Sequence, residues 1–329
     1  MKVRLAVLFL VPVLGVWAQQ APIVTALTAE RPEILKVEGI EILHVQKNIY
    51  LLAGGGANVA VQIGDGGVLV VDAGSEGQGE KIFAAIRHLT HKPLRYLVNT
   101  SPDADKVAGN ASLVQAAGGI TGIIAGAAGR PANAGIETIA HENAVNRMTA
   151  GVPGLHPLTG DAVPVTTFFT SRKDFYANGE AVQVMFQPHA RTDGDVIVFF
   201  RGSDVVSAGD ILRTDSYPVI DVARGGTIAG EIAALNTILD ITIPERNQMG
   251  GTRVIPGHGR ICNETDVVDY RDMVTIIRDR VRDMVKKNMT LEQVISAHPT
   301  LEYDGLYATK TQSGDNFIEV VYNELRKEK

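Results

Sequence analysis

Leu97-Val98-Asn99-Thr100-Ser101-Pro102-Asp103-Ala104-Asp105-Lys106-Val107-Ala108-Gly109-Asn110 runs from apolar residues through a charged loop towards a helix. Leu94 to Val98 is an apolar, β-prone run that predicts a buried strand. Asn110 to Ala117 has the composition of a helix. The strand therefore delivers Ser101, Asp103, Asp105 and Lys106 at its carboxyl end, where an α/β sheet presents its functional side chains.

The flanking sequence extends the pattern. Ile49 to Ala53, Asn58 to Ile63 and Gly67 to Asp72 predict three strands, with Asp65-Gly66 as a tight hairpin signal between the last two. Glu80 to Leu89 carries Ile82, Phe83, Ile86 and Leu89 at helical spacing. A third helix is expected over Glu137 to Met148. The Gly- and Pro-rich stretch from Gly151 to Pro164 suggests a seam between two halves. Beyond it, Ala181 to Phe186, Val196 to Phe200, Asp204 to Ser207 and Arg253 to Ile255 predict strands, and Ala229 to Leu239 a helix. Asp266 to Lys287 predicts a long amphipathic helix, followed by a helical tail from Leu291. Two strand-rich halves with flanking helices imply sheet packed on sheet with helices outside.

The chain as a whole narrows the setting. Lys2 and Arg4 precede an apolar run from Leu5 to Trp17, with Val16 and Ala18 at the end, which predicts a secretory leader at 1–18. That run is too short, and too interrupted by Pro12, to read as a membrane anchor. The expected location is periplasmic or secreted. The remainder, 45% hydrophobic across the sequence, can bury its own core as one large domain at 19–287 with a helical tail at 288–329. The formal net charge of −6 becomes more negative once two leader cations are removed. Such a surface does not attract nucleic acid or anionic lipid. The sole cysteine, Cys262, has no internal disulfide partner.

Five ordered segments carry a family resemblance. The Ser101 to Lys106 loop resembles the H-x-H-x-D-H zinc loop of the metallo-β-lactamase superfamily, which follows Asn-Thr and continues through Gly-Asn. Val71-Asp72-Ala73-Gly74 resembles its V-D-x-G turn, and Pro188 to Asp195 resembles its A-H-T-D-G-D segment. Ser207-Ala208-Gly209-Asp210 is similar to the strand end with the metal-bridging carboxylate. Ile255-Pro256-Gly257-His258-Gly259 is similar to the final P-G-H-G ligand. Periplasmic members also resemble the chain around Tyr217-Pro218 and in the tail from Phe317 to Tyr322. The resemblance implies an α/β fold, an αββα sandwich of two mixed β-sheets with flanking helices.

It also maps the ligands. The first metal position falls on Ser101, Asp103 and Arg191, where only Asp103 can donate. The second falls on Asp105, Lys106, Asp210 and His258, three of them intact. At about 4 Å and an effective dielectric near 20, two unit charges interact by about 4 kcal/mol, so Arg191 facing a dication is disfavoured by roughly twice that. Without metal, Arg191 and Lys106 offset two of the three charges on Asp103, Asp105 and Asp210, and a buried carboxylate cluster needs such partners.

Two functions stay open at this level. One is a degenerate centre, catalytically silent or ligand-binding, with no cofactor. The other is a one-metal hydrolase of an ester, lactam or thioester, with zinc or another divalent ion on Asp105, Asp210 and His258 and with Lys106 or Arg191 holding the developing oxyanion. His189, two residues from Arg191, is a possible additional ligand if the segment is extended. A small-molecule ligand or substrate is the expected partner, and the loops 126–134 and 151–164 are expected to form the pocket rim. The oligomeric state is not legible.

Overall fold

β-Branched and apolar runs separated by glycine turns build two sheets in the computed structural model, which describes residues 34–118 and 135–327. The first sheet has the order β1 (Leu35–Val37), β2 (Ile40–Gln46), β3 (Ile49–Gly55), β4 (Ala57–Gly64), β5 (Gly67–Val71), β6 (Leu94–Val98), β7 (Glu137–His141) and β8 (Thr166–Phe168). It is antiparallel from β1 to β5 and parallel from β5 to β8. Gly64 pairs with Gly67, so Asp65-Gly66 does form the two-residue hairpin.

The second sheet runs β9 (Arg172–Ala177), β10 (Glu180–Phe186), β11 (Val196–Phe200), β12 (Val205–Ser207) and β13 (Arg253–Ile255). Only β12 and β13 pair in parallel. Both sheets are therefore mixed, as the resemblance implied.

Helices cover both outer faces. In chain order they are α1 (Gly79–Leu89), the single turn α2 (Ala104–Val107), α3 (Asn110–Ala116), α4 (Glu142–Ala150), α5 (Ile228–Ile241), α6 (Glu264–Lys286), α7 (Leu291–Ser296), α8 (Leu301–Tyr307) and α9 (Gly314–Lys327). Between the sheets, Leu69, Val71, Val98 and Ile139 meet Val182, Val184, Val198 and Ile255. Ile82 and Ile86 of α1 and Leu113 of α3 pack on Val70 and Leu97. Leu235, Ile277 and Phe317 of α5, α6 and α9 pack with Ile197 and Val206. Each such side chain, fully buried, contributes about 1.5–3 kcal/mol, which suits a fold held by its core alone. Cys262 is a buried free thiol, and burial pushes it up to about 12.

Three expectations change. Glu137 to Met148 is a strand and then a helix: Thr138, Ile139 and Ala140 are buried in parallel pairing with β6 and β8, and α4 starts only at Glu142, where the His141 Nδ1 accepts the Asn143 N–H at 3.3 Å. Tertiary pairing overrides the helical composition of that stretch. The 151–164 stretch is not the seam, because β8, which follows it, still belongs to the first sheet. Strands β1, β2, β8 and β9 were not anticipated. The predicted leader and the 126–134 rim loop lie outside the described residues. Among the described residues no helix is long and apolar enough to cross a membrane.

Candidate functional site

The carboxyl ends of β5, β6, β12 and β13 converge, as the parallel pairing of each couple requires. The loop after β6 is pinned at both ends. The Thr100 N–H and hydroxyl donate to Asp72 at 2.8 and 2.7 Å, and the Lys106 carbonyl accepts the Ala73 N–H at 2.7 Å. Asn99 and Asn110 exchange amide hydrogen bonds at 3.0 and 2.8 Å, which ties the loop to α3. The stretch from Ser101 to Lys106 is thereby fixed above the sheet ends.

One half of the site is built around Lys106, a fully buried lysine. Its Nζ lies 2.7 Å from Asp210 Oδ1 and donates to the Gly257 carbonyl at 3.3 Å. His258 Nε2 is 2.7 Å from Asp105 Oδ2 and 3.6 Å from Asp210 Oδ1. Ligand atoms of Asp105, Asp210 and His258 all lie within 4.8 Å of one another. Gly257 makes this packing possible, because a Cβ there would sit 1.9 Å from Asp210 Oδ1.

The other half is built around Asp103. Its carboxylate accepts from the Ser101 hydroxyl at 2.8 Å, from Arg224 Nη2 at 2.7 Å and from Arg191 Nη1. Arg191 Nε also lies 3.8 Å from Asp210 Oδ2, so one guanidinium spans Asp103 and Asp210. Arg224 is held in turn by Asp221 at 2.8 Å, and Arg213 Nη1 reaches Asp210 Oδ2 at 3.5 Å.

Charge compensation decides the protonation states. Burial alone would raise the Asp210 carboxyl, yet Lys106, Arg191, His258 and Arg213 together hold it well below the usual carboxylate range. Burial disfavours the Lys106 ammonium, but Asp210, Asp105 and Asp72 keep its pKa above the ordinary lysine value. Burial likewise opposes the Arg191 charge and is outweighed by Asp103 and Asp210. Two carboxyls behind this layer go the other way: burial pushes Asp72 and Asp195 each up to about 7. Deeper still, both carboxyl oxygens of Glu231 on α5 lack a hydrogen-bond partner, and burial raises its pKa well above the usual value.

The structure thus brings Ser101, Asp103, Asp105, Lys106, Arg191, Asp210 and His258 into one constellation. His189 stays apart: its backbone is left-handed at φ 58°, not extended, and its Nδ1 lies 2.9 Å from the Gly225 carbonyl. Arg213, Arg224 and Asp221 were not singled out from sequence. Arg224 reaches Asp103 because Asp221 caps a short turn over Val222–Arg224, a placement that no motif in the sequence marks.

The donor set does not fit the two zinc ions that the fold family implies. Both oxygens of Asp103 are engaged by guanidinium groups, and Arg191 has no donor for a metal. Asp105, Asp210 and His258 do converge, but the Lys106 ammonium is seated against Asp210, one of the three donors.

Comparisons with known proteins agree with the fold. The structure resembles the inverting sec-alkylsulfatase Pisa1 from Pseudomonas sp. with a TM-score of 0.62 at 15% identity, over 86% of this chain and 50% of that one. The chain spans about half the length of that sulfatase. DIM-1 metallo-beta-lactamase matches with a TM-score of 0.53 at 19% identity, over 73% of this chain and 99% of that one. A metallo-beta-lactamase from Pontibacter korlensis gives 0.53 at 15% identity, over 72% and 99%. Among curated proteins none matches significantly. The profile of the metallo-beta-lactamase superfamily matches residues 51–259, more than half of the sequence. With the two mixed sheets and the converging strand ends, that match assigns the chain to the metallo-beta-lactamase superfamily.

Proposed function

We propose that this is an exported member of the superfamily, periplasmic or secreted, whose two metal positions are taken over by its own side-chain cations. Its pocket then serves as a metal-free ligand-binding site or is catalytically silent. The observation that carries the reading is Arg191, whose guanidinium spans Asp103 and Asp210. Lys106 supports it from the other side, at 2.7 Å from Asp210 and without solvent contact. Such a cluster satisfies its carboxylates internally, so it does not require a dication for stability.

A second reading has one observation in its favour, the convergence of Asp105, Asp210 and His258 within 4.8 Å. In it the protein is a one-metal hydrolase of an ester, lactam or thioester, and the likeness to an alkylsulfatase adds sulfate esters to those classes. It requires Lys106 to leave Asp210. Calorimetric titration of the purified chain with zinc separates the two. The metal-free reading expects no saturable binding at micromolar zinc, whereas a single saturable site abolished by His258→Ala would establish the alternative.

A further inference from the structure

We propose that the C-terminal helices form a clasp on the arch from Arg213 to Gly226, and that Tyr217 is the positioning residue through which they hold Arg213 and Arg224 in the pocket. The arch connects the short turn Gly209–Ile211 to α5. Its first arm carries Arg213 to Asp210 and its second carries Arg224 to Asp103. The second arm also touches the site through its backbone, where the Asp221 N–H donates to the Arg191 carbonyl at 2.9 Å. A Cβ on Gly226 would lie 2.0 Å from that same carbonyl, so the arm is seated directly on the Arg191 segment.

The crown of the arch, Asp215 to Pro218, belongs to no strand or helix, so something else must fix it. Tyr217 is fully buried, and its N–H donates to the Tyr307 carbonyl at 3.0 Å. Its hydroxyl donates to Asp304 Oδ1 at 2.8 Å, and its ring stacks on Phe317 at 5.4 Å with planes 12° apart. On either side, the Ser216 carbonyl accepts from the Tyr270 hydroxyl at 3.2 Å and the Pro218 carbonyl from Gln312 at 2.7 Å. Where the arch enters α5, the Ile228 N–H donates to the Glu324 carboxylate at 2.9 Å. All these partners come from residue 270 onward. The C-terminal helices are therefore part of the pocket's construction, although among the described residues they supply no group to the pocket itself. A segment with few regular backbone bonds of its own takes its local stability from such contacts.

The experiment compares the unmodified chain with Tyr217→Phe, which keeps the ring stack and removes one hydroxyl. Backbone hydrogen exchange over 218–227 and phenylglyoxal labelling of Arg224 are read in each. The clasp predicts about tenfold faster exchange in 218–227, on the scale of one lost buried hydrogen bond. It also predicts several-fold more Arg224 labelling, with β10 and β11 unchanged. Asp304→Ala, on the half-buried face of α8, should move exchange and labelling in the same direction but less far, because the Thr300 carbonyl, 3.3 Å from the Tyr217 hydroxyl, remains as an acceptor. Asp304→Asn, which keeps an acceptor, should restore slow exchange and low labelling. Unchanged 218–227 exchange in both the Tyr217→Phe and Asp304→Ala variants, or acceleration spread evenly across β10 and β11, overturns the proposal. It rests on the reading that Arg191 and Arg224 close the pocket on Asp103. Zinc uptake by the unmodified chain would defeat that reading, while the exchange comparison tests the clasp by itself.

Discussion

Arg191→Ala probes the cation-for-metal exchange at its most exposed claim. Arg191 is 8% exposed and faces Asp103 in direct contact and Asp210 at 3.8 Å. At 3.8 Å and an effective dielectric near 20, one such interaction is about 4 kcal/mol before desolvation and relaxation are counted. Breaking a buried pair by removing one partner typically costs about 3–5 kcal/mol, because the remaining charge is left uncompensated. Asp103 keeps Arg224 and Asp210 keeps Lys106, so the lower end, about 3 kcal/mol, applies. For a chain of this size that lowers the thermal midpoint by roughly 4–5 °C. Arg191→Lys should fall between the two, since an ammonium retains the charge without the planar reach across both carboxylates. Chemical denaturation with far-UV circular dichroism, zinc-free, gives the three stabilities. Equal midpoints for the unmodified chain and Arg191→Ala would mean that Arg191 is solvated and that the exchange idea is wrong.

Other expectations follow from the same geometry. Asp195 is raised from about 3.9 in an unfolded chain to about 7 when folded. Its contribution to stability is therefore complete below about pH 4 and is lost as pH rises towards about 7. The stability deficit of Asp195→Asn should shrink across that window, and denaturation curves showing a constant or growing deficit would contradict the assignment. Gly257→Ala drives a Cβ to 1.9 Å from Asp210 Oδ1 and should cost about 1–3 kcal/mol or more. Gly305→Ala, in α8 with open space around it, should stabilise by about 0.5–1 kcal/mol; the opposite ranking in thermal unfolding refutes the packing argument. Ser101→His, Asp103→His, Lys106→His and Arg191→His combined should lower metal-free stability and produce a zinc-dependent rise in midpoint. A folded variant without that rise would show that these positions do not converge on a metal.

Much of this arrangement is legible in the residues, and the rest fails for physical reasons. Gly67–Val71 is a continuous apolar run and Leu94–Val98 is apolar apart from Arg95, each bounded by turn residues, and their carboxyl ends locate Asp72 and the Ser101 to Lys106 loop. Asp210 and His258 lie more than a hundred residues further on, and only the ordered motifs tie them to that loop. The stretch from Glu137 reads as helix because its first strand is short and its pairing partners are distant in sequence. His189 illustrates a period argument that fails: alternation puts it beside Arg191 only in extended backbone, and its left-handed φ breaks that rule. Arg224 was hidden because its reach depends on one turn and on an arch fixed by the C-terminal helices.

The central claim is that the chain's own cations have replaced the metals, and zinc content tests it most directly. The protein would be purified without chelator, incubated with excess zinc, desalted and measured by elemental analysis against protein concentration. The account predicts less than about one equivalent per chain, because Arg191 and Lys106 sit where dications would and the first-position donors are missing. One or more tightly held zinc ions per chain would contradict it.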